Sequence, residues 1–143
     1  MNSTLSVSKS IEIKASAENI WDALTNPEKI KVYLFGTETI TDWKVGSSII
    51  FKGEYEGTTY KDKGNVLECI PNSLMKYNYW SGFSGLEDTL QNYSIVTYSI
   101  KQNSVDSCTF TWTQDGFSSE ENQQHSETGL PAMLEQIKKL VES

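Results

Sequence analysis

Apolar and polar residues alternate with a period of two along much of this chain, and that pattern predicts β-strands. In "SIIFKGEY", for example, Ile49, Phe51 and Tyr55 share one face, whereas Lys52 and Glu54 share the other. Similar runs are "TLSVSKSIEIKA", "YKDKGNVLECI", "SLMKYNYWS", "YSIVTYSIK" and "SCTFTWTQD". Strands that follow one another without intervening helices favour antiparallel pairing. We therefore expect one antiparallel sheet of six to seven strands.

Turn residues separate these runs. Gly57 in "EGT" is expected to take a positive φ in a hairpin turn, and Pro71-Asn72 marks a second turn. In "DWKVG", we expect Gly46 to supply another positive φ, with the ring of Trp43 packed on the edge of the sheet. The breaks between runs therefore support several short strands connected by tight turns.

Two short helices are predicted after the first strand, in "SAENIWDALTNPEKIKVY". Ser16 suits the N-cap of the first helix, because its hydroxyl can accept from a free backbone N–H. Asn26 suits the cap of the second, with Pro27 at the first helical position, where a missing N–H costs nothing. The predicted order is therefore strand, two short helices, a run of strands and a terminal helix.

The terminal stretch "SSEENQQHSETGLPAMLEQIKKLVES" has the spacing of an amphipathic helix. Its apolar positions are Leu130, Met133, Leu134, Ile137, Leu140 and Val141. Pro131 lacks an N–H and crowds the carbonyl of Glu127, so a continuous helix should bend near residues 127–131. Alternatively, Ser126 or Thr128 caps a new helix there. Both geometries place one apolar face against the sheet.

Composition narrows the classes of partner. The net charge is −7, with only 12 Lys and Arg, which argues against a nucleic acid or an anionic membrane as the main partner. The N-terminal sequence lacks the apolar core of a signal peptide, and no apolar run approaches the roughly 20 residues that span a bilayer. We expect a cytoplasmic protein whose residues 1–143 form a single domain.

Candidate catalytic chemistry is sparse. His125 is the only histidine, and no second His or Cys lies at metal-ligand spacing from it, so a solvated structural role is the simpler interpretation. Cys69 and Cys108 lie in separate strand-like runs and suit small, reduced, buried side chains. Phosphate-binding glycine loops and hydrolase or zinc-protease motifs are missing from the sequence. We therefore predict no catalytic residue, no metal and no cofactor.

Four segments, taken in order, resemble a known family. They are "SAENIWDALTNPEKIKVY", "DWKVGSSIIFKG", "GNVLECIPNSLMKYNYW" and "GLPAMLEQIKKLVE", and the family is that of the Hsp-90 ATPase activator homologues, within the START-like (SRPBCC) superfamily. The resemblance implies an α+β helix-grip fold, in which a curved antiparallel sheet packs on a long C-terminal helix around a cavity. Two positions depart from it: Leu130 stands where the family usually has Trp, and Ser94 where close relatives often have His. No role of that histidine carries over.

Aromatic strand residues, together with the cavity that the resemblance implies, suggest a binding site. The predicted ligand-contacting residues are Tyr55, Tyr77, Tyr79, Tyr98, Phe110, Trp112 and Gln114 on strands and Met133 and Ile137 on the terminal helix. The same rings equally suit a solid core. The first hypothesis is a non-enzymatic domain that binds a small hydrophobic or amphipathic ligand. The alternatives are a partner that stimulates the ATPase of an Hsp-90-type chaperone, and a cyclase- or hydrolase-like enzyme with shifted pKa values in the cavity.

Overall fold

An antiparallel sheet and three helices form the part of the chain that the computed structural model describes, residues 6–33, 36–55, 57–80, 93–116 and 120–142. The strands are β1 (Ser6–Ile13), β2 (Glu38–Ile40), β3 (Ser48–Tyr55), β4 (Thr58–Ile70), β5 (Leu74–Tyr79), β6 (Ser94–Ser104) and β7 (Ser107–Asp115), and the helices are α1 (Ala17–Thr25), α2 (Pro27–Tyr33) and α3 (Glu120–Glu142). The seven strands of these ranges follow the order β1-β7-β6-β5-β4-β3-β2. All neighbouring pairs are antiparallel, so the predicted α+β helix-grip architecture is confirmed.

The two short helices begin where their caps predict. The Ser16 hydroxyl accepts a hydrogen bond from the Asn19 backbone N–H at 3.2 Å and so opens α1. The Asn26 side chain accepts from the Glu28 N–H at 3.1 Å, and Pro27 is the first residue of α2. Each cap satisfies a backbone donor that the first helical turn leaves free. Both predicted starts are confirmed.

Tight turns follow the predicted glycines, with one addition. Gly57 and Gly46 have φ values of 79° and 92°, and Asn72 has 66°. Trp43 also takes a positive φ, 63°, which is strained for a bulky residue and was not predicted. Its indole N–H donates to the Thr25 carbonyl oxygen at 2.9 Å, and its ring packs against the core. The turn therefore fastens β2 and β3 to the end of α1.

The terminal helix α3 continues through Pro131 as one element from Glu120 to Glu142. The alternative in which a second helix is capped afresh at Ser126 or Thr128 is therefore wrong. Because Pro131 has no N–H, the carbonyl of Glu127 lacks its usual helical donor. Neighbouring turns nevertheless keep their helical geometry, since the apolar face of the helix is held by the sheet. Leu130, Leu134 and Ile137 are buried on that face, with Met133, Leu140 and Val141 packed partly against it.

Polar contacts fasten α3 to β1 along its length. Lys9 forms an ion pair with Glu127 near the middle of the helix. Near its C-terminus, Lys138 donates to the Glu12 carbonyl oxygen at 3.1 Å, and Glu142 accepts from the Lys14 backbone N–H at 2.8 Å. Exposed ion pairs contribute little stability, so these contacts mainly fix the position of the helix on the sheet.

A glycine permits a close approach between β4 and β5. A Cβ on Gly64 would lie 1.8 Å from the Asn78 carbonyl oxygen, so no other residue fits without moving the backbone. The Asn78 side chain accepts from the Asn65 N–H at 2.6 Å, beside a register shift between the two strands. With no side chain at Gly64, Phe51 on β3 reaches over β4 to the rings on β5.

Candidate functional site

A groove of about 440 Å³ lies between the end of β7 and the middle of α3. It is lined by Trp112, Gln114, Ser126, Gly129, Leu130, Ala132, Met133 and Gln136. Trp112, Leu130 and Met133 supply apolar walls, whereas Gln114 and Gln136 supply uncharged donors and acceptors. This combination of apolar walls and a few polar groups is typical of small-molecule sites.

Small residues on α3 keep the groove open. Gly129 and Ala132 line it where larger residues would fill the space, and a Cβ on Gly129 would meet no atom within 4 Å. Further along the same helix, Leu134 and Ile137 are fully buried against the sheet. Neither of these two side chains is in the lining of the groove, which extends past Leu134 to Gln136.

An aromatic row crosses the inner face of the sheet from the groove. The Trp112 ring lies 4.6 Å from that of Tyr98, measured between centroids, and Tyr98 lies 5.6 Å from Tyr77. Phe51 continues the row at 5.9 Å from Tyr77 and 5.7 Å from Tyr79. Tilted and edge-on contacts of this kind suit the quadrupoles of the rings. We call these five residues the aromatic row.

Two phenol groups in the row form a hydrogen bond with each other inside the core. The hydroxyls of Tyr77 and Tyr98 are 2.8 Å apart and share a hydrogen bond. Tyr33 on α2 donates to the Ala23 carbonyl oxygen at 3.1 Å. Burial, which disfavours phenolate, raises the pKa of all three phenols above the ordinary tyrosine value. They remain neutral hydrogen-bonding groups at physiological pH.

A polar chain joins the groove to the end of the row. Gln114, in the groove wall, donates to the Ser94 hydroxyl at 3.2 Å, and Ser94 donates to the Tyr79 carbonyl oxygen at 3.4 Å. The Tyr79 hydroxyl in turn donates to one carboxylate oxygen of Asp62. Ser94 thus has a structural role linking β5, β6 and β7.

Two buried polar atoms lie beyond the row. One carboxylate oxygen of Asp62, Oδ1, and the hydroxyl of Thr39 have no hydrogen-bond partner among the residues that the structure describes. Asp62 is 6% exposed and Thr39 3%. Both are register partners of Phe51, on either side of it, so all three point to the inner face. The alternation of Asp62, Gly64 and Val66 along β4, all buried, is the sequence signal for this orientation.

The predicted ligand-contacting residues occupy two environments. Trp112, Gln114 and Met133 line the groove. Tyr77, Tyr98, Phe110 and Ile137 lie behind it in the packed core, and Tyr79 is partly buried at the edge of that core. The backbone of Tyr55 ends β3, whereas its side chain lies outside the described residues, as does that of His125. The structure thus brings three of the nine predicted residues together around one open space.

Comparison with known proteins places this architecture in a family. The model of the Activator of Hsp90 ATPase homolog 1-like proteins matches residues 14–142. The chain belongs to this family. A solved structure of ChR145 from Cytophaga hutchinsonii is 39% identical with a TM-score of 0.84, and the match covers 99% of this chain and 97% of that chain. No curated protein matches this chain.

Two more distant solved structures share the fold. The Aha1 dimer from Colwellia psychrerythraea is 18% identical with a TM-score of 0.75, and the match covers 97% of both chains. PFC0360w, described as an HSP90 activator from Plasmodium falciparum, is 16% identical with a TM-score of 0.74, and the match covers 96% of both chains. At these identities the likeness establishes the fold of this family member and leaves its ligand or partner to other arguments.

The described ranges contain neither a candidate membrane-spanning helix nor a candidate metal-binding cluster. No helix there is long and apolar enough to cross a bilayer. No group of three or more His, Cys, Asp or Glu side chains in those ranges is arranged to hold a metal ion.

Proposed function

We propose that this family member binds a small hydrophobic or amphipathic molecule between the sheet and α3, without catalysing a reaction. The observation that carries the proposal is the groove of about 440 Å³, which lies within the ordinary size range of small-molecule sites, roughly 300–1,000 Å³. The binding unit is a single domain of residues 1–143, a proposal supported by the family match to residues 14–142.

The walls of the groove favour an amphipathic ligand. Trp112, Leu130 and Met133 offer apolar surface, and burying such surface stabilises a complex by roughly 25 cal/mol per Å² before the costs of association. The amide groups of Gln114 and Gln136 can orient one polar group of the ligand without the desolvation cost of a buried charge.

The same lining gives little support to acid–base catalysis. None of the eight described residues around the groove is titratable. The phenols of Tyr77 and Tyr98 do have shifted pKa values, but burial raises them, which makes these groups poor general bases near neutral pH. Binding therefore accounts for the site better than a cyclase- or hydrolase-like reaction.

The test is a pair of substitutions at Gly129. Gly129→Leu places a side chain in the groove, whereas Gly129→Ala removes the glycine with little intrusion. The uncharged probes 1-decanol and 1-naphthol are titrated into isotopically labelled protein and followed by NMR. We expect shifts at Leu130 and Met133 in the native protein and in Gly129→Ala, with affinity at least about tenfold weaker in Gly129→Leu, a loss of about 1.4 kcal/mol. Equal binding by both variants, with folding intact by circular dichroism, would exclude the groove as the site.

A second candidate function rests on the family match, whose description names activation of the Hsp90 ATPase. We propose as the alternative that the domain binds an Hsp-90-type chaperone and stimulates its ATPase. The measurement is the steady-state ATPase rate of a purified chaperone of that class with and without this protein. Stimulation that survives Gly129→Leu would assign that activity to another surface, and an unchanged rate with no co-purification would dismiss it.

A further inference from the structure

We propose that the polar end of the ligand is a hydrogen-bond donor, a hydroxyl or an ammonium group, and that Asp62 is its acceptor. The proposal rests on the proposed function, since it assigns a chemical class to the ligand that the groove binds. It predicts that alcohols and amines with an apolar body bind, and that the corresponding carboxylates are rejected.

The state of Asp62 is the first reason. Its side chain is 94% removed from solvent, and the Tyr79 hydroxyl occupies only Oδ2. Oδ1 has no partner in the described ranges of the chain. A buried carboxylate oxygen without a donor is costly, and natural interiors rarely leave one unpaired. A donor on a bound molecule would satisfy it.

Thr39 supplies a second, independent observation. Its hydroxyl is buried and without a partner in the same described ranges, and it lies opposite Phe51 on the side away from Asp62. Thr39 and Asp62 thus flank one ring on the inner face of the sheet. A hydroxyl both donates and accepts, so Thr39 can bind a ligand hydroxyl, whereas the Asp62 carboxylate accepts only.

The position of Asp62 relative to the groove is the third reason. Gln114 lies near the end of β7, Ser94 at the start of β6 and Tyr79 at the end of β5, so all three mark the same end of the sheet. Gln114 donates to Ser94 and Ser94 to the Tyr79 backbone carbonyl, and the hydroxyl of the same tyrosine donates to Asp62. From β7 to β4 there are three strand spacings, about 14 Å in total. The proposed ligand spans this distance along the end of the sheet, with its apolar body in the groove and its polar end at Asp62.

The charge of Asp62 makes the proposed site selective. A carboxylate end would meet the Asp62 carboxylate in a poorly solvated site, where like charges repel strongly. An ammonium end would be attracted, and a hydroxyl end would donate without a charge. Discrimination against the wrong partner by an uncompensated buried group is a common source of specificity.

The experiment compares three probes with one decyl chain: decylamine, 1-decanol and decanoate. Each is titrated by calorimetry into the native chain below the concentration at which it aggregates. We expect decylamine and 1-decanol to bind at least about tenfold more tightly than decanoate. This comparison needs no variant, so it stands even if a substitution at Asp62 prevents folding.

Asp62→Asn then assigns the preference. Asn keeps an acceptor oxygen for Tyr79 and removes the charge, so decylamine should weaken at least about tenfold while 1-decanol changes little. Asp115→Asn is the matched control, because Asp115 is an exposed carboxylate on β7 beside Gln114 and should leave all three affinities unchanged.

The outcomes separate this inference from the proposed function. If all three probes bind equally and Gly129→Leu weakens each, the groove binds ligands and the role of Asp62 is wrong. If Asp62→Asn and Asp115→Asn weaken decylamine binding equally, the preference for amines comes from the net charge of the protein. That result would also overturn the role of Asp62. If no probe binds, both proposals fail. If the preference for decylamine over decanoate is lost in Asp62→Asn and kept in Asp115→Asn, the inference is supported.

Discussion

The two halves of α3 have one hydrophobic periodicity and opposite packing. From residue 134 to 142, the helix closes against the sheet with Leu134 and Ile137 fully buried. From residue 120 to 133, Leu130 is buried, whereas Gly129, Ala132 and Met133 border the groove, which extends to Gln136. The periodicity places both halves against the sheet, and the size of the side chains decides which half is sealed. One helix thus provides both stability and an open site.

The sealed half of α3, residues 134–142, packs against the core of the protein. Ile137 and Leu134 belong to the same core cluster as Tyr33, Tyr77 and Tyr98. There the polar groups find partners within the protein, as the paired phenols do. Beyond the aromatic row, Asp62 and Thr39 retain unpaired oxygens among the described residues. We therefore expect changes in the sealed half to affect folding, and changes along the groove or at Asp62 to affect binding.

The largest expected effect is alkaline destabilisation from the core against which the sealed half packs. Burial raises the folded-state pKa of Tyr33, Tyr77 and Tyr98, so the unfolded chain releases these protons first as pH rises. Their stabilising effect is fully present below about pH 10 and is lost above it, by about 1.4 kcal/mol per pH unit for each phenol. Urea unfolding between about pH 9 and pH 11 should show a decline approaching 4 kcal/mol per unit.

Tyr98→Phe is the variant that checks this origin. It removes one titrating group, so the decline above pH 10 should become about one third shallower, even though the variant is less stable at neutral pH. A decline of unchanged steepness would assign the alkaline effect to other groups. Stability that stays flat up to pH 11 would contradict the burial of the phenols.

The next effect compares the two halves of the helix directly. Ile137→Ala opens a cavity in a fully buried site and should lower the free energy of unfolding by about 3–4 kcal/mol. Met133→Ala, four positions away on the same helix, removes a partly buried side chain from the groove and should cost about 1–2 kcal/mol. Chemical denaturation measures both. Similar losses at the two sites would show that the groove is closed in solution.

Pro131 lies at the boundary between the halves. Pro131→Ala restores an N–H for the Glu127 carbonyl and removes the steric conflict, although it also gives the unfolded chain more freedom. We expect a net gain of about 1–2 kcal/mol and a small rise in helicity by circular dichroism. A loss of stability would mean that the sheet requires the conformation that proline imposes on α3.

Some of these features could be predicted from the sequence and others could not. The caps at Ser16 and Asn26 and the apolar face of α3 depend on local chemistry, which a sequence displays directly. The strain at Trp43 depends on a hydrogen bond to Thr25, eighteen positions away, which no local pattern reveals. The predicted aromatic residues were accurate as inward-facing positions, but periodicity cannot tell a packed ring from one that borders a groove.

Gly129→Ala is the smallest and most specific test of the open half. Glycine weakens a helix interior because it loses the most backbone entropy on folding, and a Cβ at this position would meet no atom within 4 Å. Alanine should therefore raise the free energy of unfolding by about 0.5–1 kcal/mol, visible as a shift of the urea midpoint. If the variant is less stable instead, the space beside Gly129 is filled in solution. A gain in stability with unchanged probe binding would show that the groove has room for a methyl group, and that glycine here keeps more space than the decyl probes need.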